Sequence, residues 1–81
     1  MRQEEIKDHL AELICKSMYM EREELEDDEL FSDFGLESVT LTKILASINS
    51  KYACTLKVME LLPHQTLNDA SAYIFQKITA K

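Results

Sequence analysis

Glycine and proline are nearly missing from this sequence: one of each stands in 81 residues, and tryptophan does not occur. So few turn formers exclude a strand-and-turn sandwich, and any collagen-like or low-complexity chain. Cysteine is scarce too. Cys15 and Cys54 form no CxxC pair, and His9 and His64 lie apart from both in sequence. That leaves neither a disulfide framework nor a metal-ligand set, so no metal is expected. No run approaches the roughly 18 apolar residues of a membrane span, and the opening MRQEEIKDHL carries acids where a secretion signal has its apolar stretch. These deficits point to a reduced, cytoplasmic protein. The opening Met suits a free-standing protein and equally a domain excised from a longer one.

Positive charge is the last deficit. Nine Lys and Arg stand against 15 Asp and Glu, for a net charge of −6. Nucleic acid and anionic membranes would be repelled, and basic protein partners are favoured. The excess is uneven: residues 1–37 hold 13 acids and 4 bases, whereas residues 38–81 hold 2 acids and 5 bases. The switch falls at Ser38.

What is present is helical periodicity. Ile6, Leu10, Leu13, Ile14 and Met18 make one apolar stripe of 3.6-residue period and predict a helix over about 3–18, with Glu5, Asp8, Glu12 and Lys16 on its other face. Leu41, Ile44, Leu45, Ile48 and Tyr52 predict a second helix over 38–52. Thr55 is placed to cap a short third helix over 56–62, with Leu56, Met59, Leu61 and Leu62, stopped by Pro63. Thr66 with Asp69 opens a last helix whose stripe is Leu67, Ala70, Ile74 and Ile78 and which ends near Lys77. No strand pattern of comparable length occurs. The expected fold is all-α: a four-helix bundle of three longer helices and a short third one, in a single domain over 1–81, with a long loop between the first two helices.

That loop, residues 19–37, begins with an acid-rich run that reads as solvated and ends in apolar Leu30, Phe31, Phe34 and Leu36, expected to pin it across the helices. A calcium loop ending at Glu37 would start at Glu26 and require glycine at residue 31, which is Phe31. Cys15 and Cys54 read as small packing residues, and both histidines as exposed. Gly35, the sole glycine, implies either a positive φ or a close approach.

The informative stretch is Asp33-Phe34-Gly35-Leu36-Glu37-Ser38-Val39. It puts a serine hydroxyl at a helix start, where unpaired N–H groups and the positive dipole end suit a phosphate. On residue types alone, a plain N-cap serine is the commoner reading. The stretch resembles, however, the attachment motif of acyl carrier proteins: an acid, an apolar residue, Gly, an apolar residue, Asp, Ser, Leu. The resemblance runs through the helix–loop–motif–helix layout to the Pro63, Thr66-Leu67 and Ala72-Tyr73-Ile74 segment. Glu37 and Val39 stand where the family has Asp and Leu, both same-class changes.

The resemblance implies that Ser38 carries 4′-phosphopantetheine, supplied from coenzyme A, with Gly35, Leu36, Glu37 and Val39 forming the motif around it. It implies a carrier and not an enzyme, holding acyl groups as thioesters and contributing no catalytic acid or base. It further implies a phosphopantetheinyl transferase for loading, with acyltransferase, ketosynthase and other pathway enzymes as transient partners of a monomer. Their docking surface is expected at Val39, Thr40, Lys43, Met59 and Glu60. Residues 38–52 contain Lys43 and Lys51 but no acid, unlike the acidic second helix of bacterial fatty-acid carriers. FSDFGLES followed by VTLTKI is similar to carriers of modular polyketide synthases. Some polyketide carriers that install β-branches have Trp six residues after the serine, where this chain has Ile44. A peptidyl or fatty-acid carrier stands as the alternative within the class. An unmodified helical interaction module stands outside it.

Overall fold

A computed structural model describes residues 2–80. Three α-helices carry the architecture: α1 (Gln3–Met18), α2 (Ser38–Tyr52) and α3 (Leu67–Thr79). No strand occurs among the described residues. The apolar stripes of the three helices meet in one core, where Ile6, Leu10, Ile14, Ile48, Leu67 and Ile74 are fully buried. α1 packs chiefly on α3, and more lightly on α2. The Thr66 hydroxyl oxygen accepts from the Asp69 N–H at 3.1 Å, so α3 begins with the cap that its T-x-x-D pattern predicts.

The short third helix does not form as an α-helix. Residues 56–62 contain a single 3₁₀ turn, Val58–Leu61, and Thr55 caps nothing. The reason lies in α2. The Asn49 side chain accepts from the Leu56 N–H at 2.8 Å and donates to the Leu56 carbonyl at 3.0 Å. Those two hydrogen bonds tie down the backbone at Leu56, which is 6% exposed, and Lys57 after it is extended; Pro63 follows too soon for a longer helix to recover. Leu61 is buried, but Met59 and Leu62 are largely exposed, so the expected stripe is half solvent-facing.

The loop between α1 and α2 is more ordered than its composition suggests. Two 3₁₀ turns, Arg22–Glu24 and Phe31–Phe34, punctuate it. Leu25 drops from the middle of the acidic run into the core, as do Phe31 and Leu36, whereas Leu30 stays about half exposed and pins nothing. Polar bonds complete the anchoring. Lys7 reaches Asp27, Asn68 donates to Asp28 at 2.8 Å, and the Phe31 N–H donates to the Gln65 carbonyl at 2.8 Å. The Lys7 ammonium holds the Asp27 carboxyl below its ordinary pKa, chiefly through the hydrogen bond it donates.

Smaller expectations divide. Cys15 and Cys54 are free thiols packed partly against the core. The histidines are not simply exposed. His9 sits edge-on to Tyr52 with ring centroids 6.1 Å apart, and His64 stacks on Tyr73 at 4.8 Å. Burial pushes the His9 pKa down, aided by Lys51. Among the described residues no group of three or more His, Cys, Asp or Glu is arranged to hold a metal ion, and no helix is long and apolar enough to cross a membrane.

Candidate functional site

Ser38 is delivered by a turn, an anchor and a helix start in succession. Gly35 ends the Phe31–Phe34 turn at φ 81°, ψ 20°, donating its N–H to the Phe31 and Ser32 carbonyls. A Cβ there would meet nothing closer than Met18 Cε at 4.0 Å. Of the two reasons for a sole glycine, the positive φ is therefore the operative one. Leu36 then donates its N–H to Phe31 at 3.0 Å and buries its side chain, fixing the chain against the core. Phe31 braces it from below, edge-on to Phe34 at 6.1 Å. Past this anchor the backbone extends at Glu37 and enters α2.

The plain-cap reading of Ser38 does not survive this geometry. Glu37 occupies the N-cap position, and Ser38 is the first helical residue. Its side chain is exposed and its hydroxyl has no hydrogen-bond partner among the described residues. Its carbonyl accepts from the Thr42 hydroxyl at 2.7 Å, which holds the first turn without touching Ser38 Oγ. The N–H groups of Ser38, Val39 and Thr40 have no intrahelical acceptor, and the helix dipole adds positive potential at this end. A free hydroxyl on an exposed first turn, ringed by donors, is suited to bear a phosphodiester.

The sequence-derived docking residues scatter in character. Val39 is 69% and Met59 73% exposed. Lys43 is exposed, and Thr40 half-buried. Glu60 is half-buried, its carboxylate accepting from Tyr73 Oη at 2.6 Å, from the Lys57 N–H at 2.8 Å and from Lys77 Nζ at 3.2 Å. Those donors, Tyr73 foremost, pull its pKa down to about 2. Ile44 is buried and adds nothing to the surface beside Ser38. Leu62, 59% exposed, joins Met59 as an apolar outlet of the 3₁₀ turn; a helical stripe reading hides it because the stripe assigns it inward.

Known proteins agree with this geometry. The phosphopantetheine attachment site family matches residues 8–74. The polyketide synthase PksL of Bacillus subtilis (strain 168) is 27% identical over 74 residues, which is 91% of this chain and 2% of that protein. The NMR structure of the HMG-ACPI domain from the CurA module of Lyngbya majuscula superimposes with a TM-score of 0.84 at 32% identity, covering 98% of this chain and 80% of that one. The chain belongs to the phosphopantetheine attachment family, whose domains bear 4′-phosphopantetheine covalently. Within that class it is a non-catalytic acyl carrier of the polyketide-synthase type.

Proposed function

We propose that Ser38 is the attachment residue and that residues 1–81 act as a single carrier domain. The chain would hold acyl intermediates on a 4′-phosphopantetheine arm during polyketide assembly. The observation that carries this is the exposed, unpartnered Ser38 hydroxyl on the first turn of α2, presented by Gly35 and the buried Leu36. The arm's thiol supplies a thioester linkage. The chain's own residues supply position: Leu36 and Phe31 fix the base of the helix, Gly35 sets the turn, and Glu37 keeps a carboxylate beside the helix start. Because its cargo is covalently held, the domain raises the local concentration of substrate at each enzyme it visits.

Loading would require coenzyme A and a phosphopantetheinyl transferase. Acyltransferase and ketosynthase would dock transiently on Val39, Thr40, Lys43 and Met59, with Glu60 fixing the turn that presents Met59 and not itself facing the partner. Two free thiols support a reduced, cytoplasmic setting, and the carrier would meet each enzyme as a monomer. Intact mass after incubation with coenzyme A, magnesium and a promiscuous transferase tests the reading. A gain of one arm per chain is expected. An unchanged mass, under conditions that load another carrier, would favour an unmodified interaction module.

A further inference from the structure

His9 lies midway along α1, and Tyr52 is the last residue of α2, at the end away from Ser38. Their rings meet nearly perpendicular, at 80° and 6.1 Å between centroids. Both side chains are half-buried, and neither forms a hydrogen bond among the described residues. What joins them is ring packing alone. Because α1 packs only lightly on α2, such a pair matters to how the two helices are held together. An imidazole makes this contact best while neutral, since a proton adds a demand for hydration that a ring packed on Tyr52 meets poorly.

The charges around the pair are placed to act on that proton. From α2, the Lys51 ammonium stands 5.9 Å from the Tyr52 ring centroid and opposes a second cation there. From α1, exposed Glu12 lies one turn after His9 and attracts the protonated ring. Glu5, one turn before His9, acts on the Tyr52 hydroxyl instead. No other charged group, from α3 or from the loop, acts on His9 among the described residues. His64, the other histidine, stacks on Tyr73. We propose that His9 is a pH-sensitive latch: neutral, it pins α1 to the C-terminal end of α2, and protonated, it leaves Tyr52 for Glu12 and frees that end. Burial and Lys51 hold its folded-state pKa below the ordinary 6.5, so the unfolded chain binds this proton more readily. The stability that the latch contributes is therefore complete above 6.5 and is lost as pH falls through the lower folded value. That window opens before Glu60, ordinarily at 4.5, begins to take up its proton.

NMR titration of the whole chain from about pH 8 to about pH 5 tests the latch. The His9 ring signals, read separately from those of His64, should titrate below the ordinary histidine midpoint. The Tyr52 ring signals should move at the same midpoint as His9, and the ring-to-ring nuclear Overhauser contact between the two should fade over the same step. Lys51→Gln should raise the His9 midpoint, and Glu12→Gln should lower it. Both residues are exposed, so neither substitution threatens the fold. In His9→Phe the Tyr52 signals should hold still across this range, because a phenyl ring keeps the packing and takes no proton. A contact that persists with His9 protonated would overturn the latch. So would Tyr52 signals out of step with His9, Tyr52 signals that still titrate in His9→Phe, or a His9 midpoint unmoved by Lys51→Gln.

Discussion

Tyr73 donates its phenolic hydrogen to Glu60 at 2.6 Å, and this bond ties the 3₁₀ turn below α2 to the middle of α3. Lys77 approaches the same carboxylate oxygen at 3.2 Å, and the second oxygen accepts the Lys57 N–H. The turn that presents Met59 thus owes its position to a side chain thirteen residues away as well as to its own backbone.

The pH dependence of stability follows from that bond. The Glu60 pKa falls from 4.5 to about 2 on folding. A depressed carboxylate contributes stability above its unfolded pKa and loses it as pH falls through the folded one. Wild type should therefore lose melting temperature progressively between about pH 5 and 2. In Tyr73→Phe the Glu60 titration should move up toward 4.5, with a shallower acid decline. Carbon-detected NMR of the Glu60 carboxyl, alongside melting curves, checks this. An unmoved midpoint would mean that Tyr73 is not the dominant donor.

Leu25 and Leu30 flank the four acids at 26–29 and should respond unequally to truncation. Leu25 is 3% exposed and Leu30 48%. Leu25→Ala should cost about 2–5 kcal/mol, a large share of the roughly 3–5 kcal/mol that a core of this size supplies. Leu30→Ala should stay within about 0.5 kcal/mol. Urea denaturation measures both. Similar losses at the two positions would contradict a loop anchored at Leu25.

Gly35 tests the backbone argument. Alanine at φ 81° pays for a left-handed conformation while filling open space, so Gly35→Ala should lose about 1–2 kcal/mol. Gly35→Asn should lose less, because asparagine tolerates that region. If Asn proved worse than Ala, steric approach and not φ would be the constraint at Gly35. Denaturation midpoints of the two variants decide it.

Much of this was legible in the residues, and the reasons for the gaps are physical. Local periodicity sufficed for α1, α2 and α3, because each buries one stripe of its own residues. The short third helix misled because Asn49, seven residues away, holds the Leu56 backbone by two hydrogen bonds; that contact has no local signature. Leu25 was hidden by its neighbours, because Glu23 and Glu24 stand just before it and Glu26, Asp27, Asp28 and Glu29 just after it. Tyr19 and Ala53 take left-handed conformations at helix ends where glycine is the usual signal. The motif singles out Ser38 as the proposed site, but its place inside the helix, with Glu37 outside it, needed the backbone.

The central claim is attachment at Ser38, and locating the arm tests it most directly. After loading from coenzyme A, proteolysis and mass mapping should place the arm on the peptide containing Ser38 and at that residue. Ser38→Ala should stay unloaded with its helicity retained, because Ser38 lies inside the helix and caps nothing. An arm found on Ser32, Ser47 or Ser50, or a loaded Ser38→Ala protein, would contradict the account.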